Sequence, residues 1–287
     1  MDFTIPEIPR IPIGEWVEQG IDFLLAHFSG ITRWVSMEMN AFLSGFEGLL
    51  LAVHPLILIT AAAASIGFLT RKRSLTIFVF LSLGLLWNLQ LWPAAMSTLA
   101  LVLVSTTLAV LIGVPLGILA AIYTSLHRVI MPVLDMMQTM PAFVYLIPAI
   151  PFFGLGKVSA LFATMIFATP PAIRFTYLGI RQVPHELVEC ADAFGATRMQ
   201  RLVKLELPVA APNILAGINQ TIMLALSMVV VAAMIGAKGL GGEVWRAIQR
   251  LEMGSGFEAG LGIVILAICL DRVLQNLVSR IRSKTRV

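Results

Sequence analysis

The sequence predicts an all-α integral membrane protein, and three features of its make-up lead there. Apolar residues form 58% of the 287 and charged ones 13%. Mean hydropathy is +0.90, far outside the range of soluble domains. The basic residues gather at the ends of long apolar runs, as they do in membrane proteins. No polar stretch between the runs is long enough to bury its own core, so one membrane domain is expected. The net charge of +4 therefore reads as topology and argues against nucleic-acid binding. Cys190 and Cys269 lie in unlike contexts with no Cys-x-x-Cys pair, so neither a disulfide framework nor a metal site is expected. No basic segment precedes an apolar core near the N-terminus, and no cleaved signal peptide is expected.

About seven transmembrane helices follow, since a span needs roughly 20 apolar residues. Residues 1–47 are too polar to span. Within them Ile13, Trp16, Val17, Ile21, Leu24, Leu25 and Phe28 recur at helical spacing, opposite Glu15, Glu18 and Asp22. This is an amphipathic helix, lying on the outer leaflet or packed on the protein's own outer surface. Residues 48–93 hold two further spans. The first is Gly48–Thr70, and the next charge-free gap, Ser74–His127, is too long for one helix. Trp87-Asn88-Leu89-Gln90-Leu91-Trp92-Pro93 divides it as an interface turn. Later spans are expected at about Met131–Ile150, Val158–Ile173, Val209–Ile235 and Gly256–Asn276. With the N-terminus outside, fourteen of the 20 Lys and Arg fall inside, including Arg71, Lys72, Arg73 and the basic tail of residues 274–287. All five tryptophans then lie at or beyond the outer interface, so the chain is read as N-out, C-in.

Between Ile173 and Val209 lies a polar island. Pro184 suits a first helical position, and Glu186 and Glu189 favour the positive end of a helix dipole. Leu187, Val188, Ala191 and Phe194 share one face, and Gly195 can take the left-handed conformation that ends the helix. A second short helix sets Met199, Leu202 and Val203 against Arg198, Arg201 and Lys204, and Pro208 is expected to stop it. Such a knob is either a handle for another protein or a loop packed beneath its own bundle. A DNA-reading helix-turn-helix is opposed by the span on each side.

Other signals point to transport rather than chemistry. Gly154-Leu155-Gly156-Lys157 only superficially matches a phosphate-binding loop, since Pro151 and Val158 occupy its first-glycine and Ser/Thr positions. Energy must then come from a partner. Pro115, Pro132, Pro141, Pro148, Pro151, Pro170 and Pro171 free backbone carbonyls that must face protein or water. A pathway lined by these kinks and by Thr139, Tyr145, Asn219, Gln220 and Ser227 is one reading; interhelix hydrogen bonding is the other. Asp135 and Asp271 fall near inner span ends and are expected to pair with Arg128, Arg272 or the loop. Gly113-x3-Gly117 fits close helix packing, with Pro115 giving a local bend. His27, His54, His127 and His185 are scattered, and no catalytic constellation or cofactor motif is present in the sequence. Val244, Trp245, Ile248 and Leu251 form a short amphipathic outer helix after a glycine-rich turn.

The order Glu189-x-Ala191-x3-Gly195-x9-Leu205-x-Leu207-Pro208 resembles the EAA loop of ABC-importer permeases, whose short helices dock in a groove on the ATP-hydrolysing subunit. Cys190 and Leu205 depart from the common form by small or apolar changes. Asp135–Leu146, Gly217–Thr221, Ala225–Val230 and Asp271-Arg272 are similar to bacterial glycine betaine/proline betaine permeases, and so are Ile11-Pro12-Ile13 and Trp16. The resemblance implies a type I ABC importer core over residues 94–273, with a coupling loop at 184–208. Glu186, Glu189, Ala191, Gly195, Arg198, Leu207 and Pro208 would meet the ATPase, and Thr139, Pro141, Tyr145, Asn219, Gln220 and Ser227 would line the path. It also implies a homodimer in the bacterial cell membrane, two ATPase subunits and an extracytoplasmic binding protein. Neither metal nor cofactor is implied. The substrates would be quaternary ammonium osmolytes such as glycine betaine and proline betaine, with choline or carnitine as alternatives. The outer helix would sit near the binding-protein dock and outer gate, a lipid-interface anchor through Trp245 being the other reading of that helix. An ion-coupled secondary transporter is the rival class. It would need midplane carboxylates or an inverted repeat, and the sequence displays neither.

Overall fold

The computed structural model describes residues 12–285, with side chains to Asn276 apart from that of Ile13. Arg10 and Ile11, and the side chains of Arg280, Arg282, Lys284 and Arg286, lie outside the described residues. Twelve α-helices follow in order: α1 (Ile13–Ala52), α2 (Pro55–Thr70), α3 (Arg73–Asn88), α4 (Trp92–Ile122), α5 (Thr124–Thr139) and α6 (Leu146–Phe153). Then come α7 (Lys157–Arg181), α8 (His185–Ala193), α9 (Arg198–Arg201), α10 (Leu207–Ala233), α11 (Leu240–Arg250) and α12 (Met253–Thr285). A 3₁₀ turn (Ala142–Tyr145) precedes α6, and a π-turn (Leu202–Glu206) joins α9 to α10.

Proline decides where the apolar runs break. The expected span Gly48–Thr70 is two helices, because α1 runs on to Ala52 and meets α2 at 94°. Pro55 holds its predecessor His54 in extended backbone (ψ 134°), and the His54 ring accepts the Leu56 N–H at 3.3 Å as the cap of α2. The expected span Met131–Ile150 is likewise bent, by 113°, between α5 and the segment through α6. There Pro141 forces Met140 to ψ 134°. The count of seven is therefore not confirmed. Among the described residues four helices are long and apolar enough to cross a membrane, or six with each bent pair taken as one span. Apolar α3 has 16 residues, about 24 Å at the helical rise, short of a roughly 30 Å core.

Helix α7 is the hub, flanked closely by α4 and α10. Small residues let the backbones approach: a Cβ on Gly113 would lie 2.7 Å from Ala172 Cβ, and one on Gly117 2.7 Å from the Ile173 carbonyl. The Gly113-x3-Gly117 stripe is thus an internal α4–α7 seam. Pro115, Pro170 and Pro171 lie inside these helices, Pro170 and Pro171 buried and Pro115 exposed. The interface turn over 87–93 forms as expected, with Gln90 at φ 60° and Pro93 in the first turn of α4. Trp92, in the first turn of α4, is 5% exposed and packs in the core of α2, α3, α4, α10 and α12. The N-terminal half of α1 leaves Trp16, Val17, Phe23 and Phe28 exposed, so packing on the protein's own surface does not account for it. Its C-terminal half docks, through buried Leu43 and a Glu47–Lys157 ion pair.

Candidate coupling loop and translocation path

Helix α8 forms the expected first half of the knob. Pro184 is its N-cap rather than its first residue (ψ 133°), and Glu186 occupies the first turn. Glu189 pairs with His185 at 3.0 Å, one turn away. The helix ends where Gly195 turns left-handed at φ 73°. Two bonds close it: Ala196 N–H donates to the Ala191 carbonyl (3.0 Å) and Gly195 N–H to the Asp192 carbonyl (2.9 Å). Thr197 then opens α9 with a reciprocal cap, its Oγ1 accepting from Gln200 N–H at 3.3 Å while Gln200 Oε1 accepts from Thr197 N–H at 2.9 Å.

Pro208 does not stop the second helix. Leu207 N–H donates to Leu202, five residues back, and this π-turn carries α9 into α10 as one 36-residue rod, Arg198–Ala233. Proline lies in the first turn of α10, and the wider turn just before it accommodates a residue with no N–H to give. The second half of the knob is therefore a continuous extension of a core helix. Leu207 packs with Ile180, Leu202 and Ala210 at its root.

The knob is tied to the bundle through two arginines. Arg198 donates to the Ile122 carbonyl at the end of α4 (3.3 Å). Arg201 reaches both ways, donating to Asp192 on α8 at 2.8 and 3.0 Å and to Glu206 at 2.9 Å. A guanidinium fork suits two carboxylates and keeps its charge at any physiological pH. Arg181, His185, Asp192, Arg198, Arg201 and Glu206 line a cavity of about 470 Å³ behind the knob. The outward surface is apolar: Leu187, Phe194, Met199 and Val203 are all exposed, Phe194 to 87%. No residue of α8 is buried. Sequence reasoning missed the Arg201 clamp because its partners lie nine and five residues away, across a glycine turn and a π-turn that helical spacing does not anticipate.

The expected path residues fall into two groups. Thr139 and Pro141 are exposed at the α5 bend, and Thr139 Oγ1 donates to the Met136 carbonyl (3.0 Å). Tyr145 is buried, its hydroxyl donating to the Met137 carbonyl and its ring edge-on to Phe167. On α10, Gln220 and Ser227 share an exposed face seven residues apart. Asn219 turns inward and donates to Asp271 on α12 at 2.9 Å. The expected pairing of Asp271 with Arg272 is replaced by Asn219 and Gln275 (2.7 Å), and that of Asp135 with Arg128 by Arg174 on α7. The bundle brings these partners together across 52 and 39 residues. Asp271→Ala is expected to lower the thermal midpoint. Asn219 Oδ1 is already buried without a partner, so losing the other bond costs about 1–3 kcal/mol.

An all-helical membrane body with a proline-broken interior and a helix–glycine–helix knob extending a core helix is the build of a transport permease. The family model described as "Binding-protein-dependent transport system inner membrane component" matches residues 113–283, and the chain belongs to that family. It is 46% identical over 280 residues to the glycine betaine transport system permease protein OpuAB of Bacillus subtilis, covering 97% of this chain and 98% of the relative. It is also 46% identical to the glycine betaine/carnitine transport permease protein GbuB of Listeria monocytogenes, over 98% of this chain and all of the relative. A third relative at 46% is the glycine betaine/proline betaine transport system permease protein ProW of Escherichia coli, matched over 92% of this chain and 75% of that one. The solved inward-facing MetNI methionine ABC transporter (native crystal form) aligns with a TM-score of 0.58 and 25% identity, covering 68% of this chain and 96% of that chain. The fold is that of an ABC importer permease.

Proposed function

We propose that the chain is the permease subunit of an ATP-driven importer of quaternary ammonium osmolytes, chiefly glycine betaine and proline betaine. In this reading two copies form the translocation path, two ATPase subunits dock on the knobs, and an extracytoplasmic binding protein delivers substrate. The N-terminus is outside and the C-terminus cytoplasmic, in keeping with the excess of Lys and Arg on the inner side. The observation that carries the coupling is the solvent-facing apolar surface of Leu187 and Phe194 on the first half of the knob and of Met199 and Val203 on a rod continuous with α10. Glu186, Glu189, Ala191, Gly195 and Arg198, with Leu207 and Pro208 at the root, form the lever. ATP-bound partners and the ligand-loaded binding protein favour the same arrangement of the two copies, so their binding biases one equilibrium.

The path is assigned to the exposed face of α10, with Gln220 and Ser227, and to the α5 bend, with Thr139 and Pro141. Tyr145, donating to the Met137 carbonyl, and Asn219, donating to Asp271, hold those walls in place. Substrate selection by an aromatic cage is assigned to the binding protein.

The test is uptake of radiolabelled glycine betaine by vesicles holding the permease, its co-purified ATPase and the binding protein. Uptake should require ATP and be competed by proline betaine. In a Gly195→Pro variant it should fall to background, because proline cannot take φ 73°. Uptake without ATP or an ATPase would return the secondary transporter. Stronger competition by choline or carnitine than by proline betaine would reassign the substrate.

A further inference from the structure

Between the start of α3 and the end of the described part of α12 lies a cleft of about 620 Å³. The transport reading does not use it. Its walls divide by chemistry. Leu75, Phe78 and Ile268 form an apolar side, and Lys72, Ser74 and Arg272 a polar one. Among the described residues neither Lys72 nor Arg272 is in an ion pair, and no acid lines the cleft. Arg272 makes one long contact, from Nη1 to Gln275 Oε1 at 3.5 Å. The neighbouring acid, Asp271, is occupied by Asn219 and Gln275. Arg71 and Arg73 flank Lys72 in the chain and add positive potential.

The position of the cleft narrows what would fill it. Helix α12 is a candidate span over Met253–Asn276, and the cleft lies at the end of that span, beside the first turns of α3. This is headgroup depth. A free anion would answer the two cations and leave the Leu75–Phe78–Ile268 wall uncovered. An uncharged lipid would cover the wall and leave the cations unmatched. An anionic lipid satisfies both, since basic pockets between helices at the membrane surface take anionic headgroups while acyl chains lie along apolar side chains.

We propose that the α3–α12 cleft binds one anionic glycerophospholipid, its phosphate held by Lys72 and Arg272 and an acyl chain laid along Leu75, Phe78 and Ile268. The lipid bridges the short α2–α3 pair to α12, which contacts α2 and α3 sparingly in the protein alone. Occupancy therefore fixes how these accessory helices sit on the core.

The test uses the full-length permease purified in detergent. It needs neither ATPase, binding protein nor substrate, so its outcome is independent of the transport reading. Thermal unfolding is followed with added phosphatidylglycerol, phosphatidylcholine or inorganic phosphate, and bound lipid is counted by native mass spectrometry. Phosphatidylglycerol is expected to raise the midpoint by roughly 5 °C at a hundredfold excess over its dissociation constant, while the other two do not. K72Q/R272Q should lose that shift and the retained lipid. K238Q/R250Q, with equal loss of charge away from the cleft, should keep both. Ile268→Trp fills the acyl wall without touching charge, should also lose the shift, and decides the matter should the double variant not fold. A phosphatidylglycerol shift that survives in K72Q/R272Q or in Ile268→Trp overturns the proposal. An equal shift with inorganic phosphate reduces the cleft to a free-anion site, and an equal shift with phosphatidylcholine to a groove indifferent to charge; either result also overturns it.

Discussion

Arg201→Ala is expected to leave the partner ATPase hydrolysing ATP while uptake falls by tenfold or more. Arg201 joins α8 to the root of α10, and the two carboxylates it holds are unequal. Asp192 is 51% exposed and its bond is largely screened, so it adds about 0–1 kcal/mol. Glu206 is 13% exposed, and leaving it unpaired costs about 1.5–3 kcal/mol. Losing about 2 kcal/mol from the connection between the proposed docking surface and α10 changes a two-state population up to about thirtyfold. Arg201→Lys should recover part of the loss, because a point charge reaches one carboxylate and cannot fork across two. A double-mutant cycle with Asp192→Ala separates the clamp from the loss of side-chain bulk. Uptake and hydrolysis falling together in Arg201→Ala would mean that the residue acts on docking, not transmission.

Gly241→Ala is expected to have the largest effect on stability of any single methyl addition considered. The new Cβ would lie 2.3 Å from the Val229 carbonyl oxygen and 2.7 Å from its carbon. Both are backbone atoms within α10 and cannot rotate away, so α11 must move off the bundle. Overpacking of this kind costs about 1–3 kcal/mol, and here the obstacle is main chain. The displacement would also strain Leu240 N–H, which donates to buried Thr98 Oγ1 at 2.8 Å. Gly84→Ala in α3 is the contrast, since no atom lies within 4 Å of its Cβ. A helix-interior glycine gives up about 0.5–1 kcal/mol to alanine, so this variant should be neutral or stabilising. Thermal unfolding of the two purified variants against wild type checks both signs, and a Gly241→Ala midpoint equal to that of wild type would contradict the packing described for α11.

The sequence by itself determined what depends on local composition and short-range spacing. Apolar content set the membrane class, the Trp87–Pro93 segment placed a turn, and the spacing from Glu189 through Gly195 to Leu207 placed the knob. Gly195 was legible because a left-handed helix end is a property of one residue. The short helix carrying Val244, Trp245 and Ile248 was legible for the same reason, its signal lying within three turns.

Tertiary structure decided whatever depends on partners distant in the chain or on how a helix answers a proline. Pro55 and Pro141 turned two expected spans into bent pairs, whereas Pro208 was absorbed by a π-turn and broke nothing. The spacing of a proline does not say which will happen, because the outcome depends on whether the wider turn can supply the missing bond. The partners of Asp135 and Asp271 came from other helices and not from the nearest arginine in sequence. Arg201 entered the site only because a glycine turn and a π-turn fold Asp192 and Glu206 around one guanidinium. The cleft between α3 and α12 has the same origin. Lys72 and Arg272 stand 200 residues apart in the chain, and packing in the bundle makes them neighbours.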